Sequence, residues 1–100
     1  MNLPRMNPQP LIASIDDEAG GAWVVFTETG SRYMVDLDAR TIRRDPVAGE
    51  LRADGEAVRL HQIVTCELGA SAGFLVTVEA GVITLRLTSH VTRIEVAASD

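Results

Sequence analysis

Three glycines, Gly30, Gly55 and Gly81, recur about every 25 residues, each flanked by segments in which apolar and polar residues alternate. Period two is the signature of a half-buried strand, because successive side chains point to opposite faces of a sheet. Glycine at the breaks accepts the positive φ of a tight turn at no steric cost. The pattern predicts three successive hairpins with turns near Gly30, Gly55 and Gly81. An all-β fold follows: a small single-domain barrel or sandwich of about six to seven antiparallel strands. No stretch sustains a helical period, and only a short turn within 38–48 is expected.

Each hairpin implies a register. A two-residue turn at Thr29-Gly30 opposes Phe26 to Tyr33, Val24 to Val35 and Ala22 to Leu37 on an inward face. Trp23, Val25 and Met34 then fall on an outer face more apolar than solvent requires. Asp54-Gly55 as a turn sets Leu51 across from Val58 and Glu50 across from Arg59. Val58, Leu60, Val64, Cys66 and Leu68 continue inward, with Gln62 breaking the row, so a bulge near Gln62 is expected. A loop at Ala80-Gly81 matches Val78 with Ile83, Val76 with Leu85 and Phe74 with Leu87, leaving Leu75, Thr77, Thr84 and Arg86 outside. Gly69 to Gly73 reads as a linker between hairpins, Thr88-Ser89-His90 as a bend, and Val91 to Val96 as a closing strand.

One hundred residues suit one domain with a thin core. Pro4, Pro8 and Pro10 make residues 1–10 a disordered or loosely docked arm. Residues 11–97 form the β domain, with 11–15 able to dock as an edge strand, and 98–100 a short tail. The lone Cys66 excludes an internal disulfide, and the prolines interrupt any signal-peptide core, which together place the chain in a reducing cytoplasm. No apolar run is long enough for a membrane helix, so no membrane partner is expected. All nine basic residues are arginine, a bias of GC-rich bacterial genomes.

Four groups could carry chemistry. Asp36 and Asp38 share a strand face, where a hard cation would need further ligands that the sequence does not supply. Cys66 with His61 or His90 could make a nucleophile and base, but Cys66 sits in the inward row as a small hydrophobe. Glu67, like Asp36, is a lone acid without a matched base. Arg40, Arg43, Arg44, Arg52 and Arg59 concentrate positive charge in a chain of net charge −5. Phosphates could meet such a surface, although acids at 38, 45, 50 and 54 neutralise it locally. Phosphate-cradling, dinucleotide-binding, serine-hydrolase and zinc-protease motifs are all missing. Neither a catalytic site, a metal nor a cofactor is therefore expected.

Gly30-Ser31-Arg32-Tyr33 with Asp36-Leu37-Asp38, Arg44, Leu51 to Gly55 and Thr88 to Ile94 resemble a group of short uncharacterised β-rich proteins of GC-rich actinobacteria, over about residues 22–96. The resemblance implies a bacterial single-domain protein and carries no function across.

Two roles are then expected in order. The first is a non-enzymatic interaction module that forms homo-oligomers or binds another protein through Trp23, Val25, Met34, Ile63 and Leu75. The second is nucleic-acid binding through Arg40, Arg43, Arg44, Arg52 and Arg59.

Overall fold

Six antiparallel strands follow one another around a closed barrel in the computed structural model, which describes residues 11–45, 55–79 and 81–97. They are β1 (Ala22–Thr27), β2 (Arg32–Asp36), β3 (Thr41–Asp45), β4 (Ala57–Thr65), β5 (Ser71–Glu79) and β6 (Val82–Val96). Each pairs with the next, and β1 pairs with β6, so closure selects the barrel over the sandwich. No helix occurs among the described residues, and hence none long and apolar enough to cross a membrane.

The first turn is one residue longer than expected. Gly30 N–H donates to the Thr27 carbonyl (2.9 Å), and Thr27 N–H donates to the Ser31 carbonyl (3.1 Å). This is a three-residue loop, Glu28-Thr29-Gly30, with Gly30 at φ 93°. That loop length ends naturally in a left-handed glycine. The extra residue moves the register by one: Phe26 faces Arg32, Val24 faces Met34 and Ala22 faces Asp36. A one-residue slip inverts a strand. Val25 and Thr27 therefore point inward with Tyr33, Val35 and Leu37, all buried, while Val24 and Phe26 stay half-exposed.

The second hairpin is also corrected. Val58 lies opposite Ile42 and Arg59 opposite Thr41; their expected partners Leu51 and Glu50 lie outside the described residues. Residues 46–54, including Asp54 of the expected turn, lie outside the described residues. The strand that lies against β4, β3, has Ile42 as its one buried apolar side chain, too short a signal for period two. It is launched by an Asx turn, in which Asp36 Oδ1 accepts from the N–H groups of Asp38 (3.0 Å) and Ala39 (2.8 Å).

β4 bulges twice against β5, between Leu60 and Gln62 and between Ile63 and Thr65. The bulge near Gln62 was expected; its consequence was not. Leu60, Ile63 and Cys66 face inward at a spacing of three, and Val64 is turned out. The third hairpin keeps the expected pairing of Glu79 with Val82 across Ala80-Gly81, though Ala80 lies outside the described residues. A bulge between Thr77 and Glu79 then shifts everything beyond it. Phe74 and Val76 stay inside, as expected, but opposite them lie Arg86 and Thr84. Ile83, Leu85 and Leu87 are on the outside. The expected linker is part of β5 from Ser71, and the expected closing strand is the second half of β6, whose Val91–Val96 part pairs with β1.

Segment 11–17 docks across one end of the barrel. Ser14 bridges Glu67, Ile15 N–H donates to the Cys66 carbonyl (3.1 Å), and Ile15 joins the core. Asp17 anchors it: its carboxylate accepts from Ile63 N–H (3.0 Å), at the doubly bulged strand, and pairs with Arg40 (2.9 Å). Asp17→Ala leaves that part-buried N–H without its acceptor, which lowers unfolding free energy by about 1–3 kcal/mol. Asp17→Asn, which still accepts, costs less. Urea midpoints of the two variants check the order.

Candidate functional site

The inverted third hairpin produces the most unusual surface of the molecule. Ile83, Leu85 and Leu87 on β6 are 58%, 51% and 66% exposed, and Val64 on β4 is 52% exposed. Leu85, Leu87 and Val64 converge over Gly73, and Ile83 continues the row toward the hairpin end. A Cβ at that glycine would lie 3.3 Å from Leu87 Cδ2, 3.6 Å from Leu85 Cδ1 and 3.6 Å from Val64 Cβ. Leu75, directly opposite Leu85, extends the apolar face across β5. Val78 and Val82 are half-exposed at the hairpin end. A mid-strand glycine marks close approach of another chain element; Gly73 was thus the sequence signal for this face, legible only once 69–73 is recognised as strand.

The same region has an open edge. β1 joins β6 only from Val91 onward, while β5 covers the other side from Val82 to His90. Among the described residues, Val82 to Thr88 therefore have a strand neighbour on one side alone. Arg59 and His61 stand at the margin of the apolar face on β4, where Arg59 is opposite Thr77 and His61 Nε2 shares a hydrogen bond with Thr77 Oγ1.

The residues first expected to meet a partner are dispersed. Val25 and Ile63 are inside the barrel, so their expected role at an interface is corrected: both pack in the core. Trp23 also turns inward, half-buried, its indole N–H donating to the Gly20 carbonyl (2.7 Å). Met34 is half-buried on the outer face of β2, opposite Arg43. Trp23 and Met34 line a shallow groove of about 300 Å³ with Asp36 and Thr41, away from Leu85. Of the five, Leu75 alone belongs to the exposed face.

The arginines are not gathered either. Arg40 adopts a left-handed φ of 58° in the β2–β3 turn and is held by Asp17 and by the His61 carbonyl (2.8 Å). Arg43 pairs with Asp45 (3.2 Å). Arg44 points to the opposite face and donates to Ser31 Oγ (3.2 Å). Arg59 is exposed on β4, and Arg52 lies outside the described residues.

The acid pair is structural: Asp36 forms the Asx turn, and Asp38 Oδ1 accepts from Gly21 N–H (3.1 Å). No group of three metal-ligating side chains occurs among the described residues. Cys66 is buried, and loss of solvent pushes its thiol up to about 12. The thiolate is therefore negligible at neutral pH. In the folded protein at pH 8, Cys66 should resist iodoacetamide, and full labelling should appear only in denaturant; mass spectrometry of the adduct checks this. No family model, curated protein or solved structure matches the chain.

Proposed function

We propose that the chain is a non-enzymatic self-associating module whose partner is a second copy of itself, joined through β6. The observation that carries this reading is that, among the described residues, Val82–Leu87 is at once an open edge and an apolar outer row. An exposed apolar edge strand is a template for strand pairing. Two antiparallel copies of β6 about a two-fold axis would satisfy each other's backbone groups. Their apolar faces would merge into one surface spanning both barrels. A second copy fits better than a charged partner, because the face itself is uncharged in a chain of net charge −5.

Sedimentation velocity across the micromolar range tests the idea. A concentration-dependent dimer is the expected result; a monomer throughout overturns it. An unrelated protein on the same edge would appear as a monomer that forms a mixed complex. The nucleic-acid reading draws no support from the placement of Arg40, Arg43, Arg44 and Arg59.

A further inference from the structure

Residues 11–17 are the outer member of a small three-part sheet across one end of the barrel. Around the bridge between Ser14 and Glu67, Ile15 N–H donates to the Cys66 carbonyl (3.1 Å) and Leu68 N–H donates to the Ala13 carbonyl (2.9 Å). On its other side the 66–70 segment is fastened to β6. Leu68 bridges Val91, Gly69 N–H donates to the Val91 carbonyl (2.9 Å), and Val91 N–H donates to the Ala70 carbonyl (2.9 Å). The middle member therefore keeps its hold on the barrel when the outer member leaves. Ile15 is opposite Cys66, and directly opposed residues share a face. Both are buried in one apolar cluster, with Ile12 packed against it.

The joint between this segment and β1 belongs to the barrel. Gly20 and Gly21 both adopt left-handed φ, 67° and 74°, a conformation that side chains with a Cβ disfavour. Trp23 Nε1 donates to the Gly20 carbonyl (2.7 Å), Gly21 N–H donates to Asp38 Oδ1 (3.1 Å), and Leu37 N–H donates to the Gly21 carbonyl (2.7 Å). Motion of the chain before Gly20 thus leaves β1 in register. A tight turn comes next, with Ala19 N–H donating to the Asp16 carbonyl (3.1 Å) and Glu18 N–H to Asp16 Oδ1 (2.9 Å). Within that turn one carboxylate reaches two elements at once. Asp17 Oδ1 accepts from Ile63 N–H (3.0 Å) on β4 and from Arg40 Nη2 (2.9 Å) in the β2–β3 turn. Arg40 Nη2 also donates to the His61 carbonyl (2.8 Å), beside the same bulge.

We propose that residues 11–17 are a hinged strap that gates the Cys66 thiol, with the Asp17 carboxylate as its latch. Releasing the latch lets Ile12 and Ile15 swing out about Gly20 and Gly21, and the thiol meets solvent while the six strands stay paired. Such a local opening takes less free energy than global unfolding, because it breaks two ladder bonds and exposes little surface. The gate is separate from the self-association edge, since none of the hydrogen bonds that form it involves Val82–Leu87.

Iodoacetamide at pH 8 on the full chain is the probe, with the adduct followed by mass spectrometry over a urea series. Below the unfolding transition, Asp17→Ala should label about tenfold or more faster than the unsubstituted protein. Its rate there should be nearly independent of urea, because the slope scales with the surface exposed. Val76→Ala truncates a fully buried side chain of β5 and lowers global stability without removing any of these hydrogen bonds. It should gain nothing over the unsubstituted rate below its own transition. Three results would overturn the gate: Asp17→Ala labelling no faster than the unsubstituted protein, its labelling climbing with urea as steeply as its unfolding, or Val76→Ala labelling equally fast below its transition.

Discussion

Leu85→Lys should abolish the proposed β6-to-β6 dimer and leave a monomer. Leu85 sits at the centre of the outer row, opposite Leu75 and beside Leu87, so a two-fold pairing of β6 brings both copies of position 85 close together. Two ammonium groups in a dehydrated apolar seam cost several kcal/mol, enough to raise the dissociation constant by about 100-fold or more. An inward-placed or edge lysine is also the device by which natural sheets prevent strand pairing. Because Leu85 is half-exposed in the single barrel, the substitution should shift its folding stability by less than about 1 kcal/mol. Sedimentation against concentration, with a melting curve on the same samples, separates the two effects. A dimer of undiminished affinity in Leu85→Lys would place the contact elsewhere.

Phe74→Ala should have the largest effect on folding. Phe74 is fully buried, stacks in a tilted arrangement on Tyr33 and is the largest side chain of the interior without solvent contact. Truncation removes its transfer free energy and leaves a cavity, together about 3–5 kcal/mol. A domain of this size has a total stability of about 5–15 kcal/mol, so the variant approaches or crosses the unfolding threshold at room temperature. Urea denaturation followed by Trp23 fluorescence measures the loss. Val78→Ala, at an exposed position of the same strand, provides the comparison and should change stability by less than about 0.5 kcal/mol.

The candidate surface was legible only in fragments. Leu75 was read as outward, correctly for its strand, because Phe74 and Val76 leave β5 no other orientation. Ile83, Leu85 and Leu87 were assigned to the core, because an apolar row opposite an apolar row is what a simple hairpin produces. Nothing local announces the bulge at Val78 that separates the rows. Arg86 is placed outside by the same simple register, whereas it lies opposite the interior residue Phe74. Among the arginines the sequence shows proximity along the chain, but Arg43 and Arg44 are consecutive on a strand and so face opposite ways.

From the chain alone came the class of fold, the Gly30 and Gly81 hairpins, the inward row of β2, the inward Phe74 and Val76 of β5 (though not Val78, which the bulge turns out), and the buried state of Cys66. These depend on local chemistry: alternation, turn residues, and a small apolar thiol in an apolar row. The facing of β1 and β6, the closure through a 15-residue β6, and with them the apolar edge, were decided by the tertiary structure. The physical reason is a count. A strand's inward face is set by how many residues separate it from its partner, and one additional residue in a loop or bulge inverts the whole strand. Whether that residue is accommodated depends on the bend needed to close six strands into a ring, which no short segment encodes by itself.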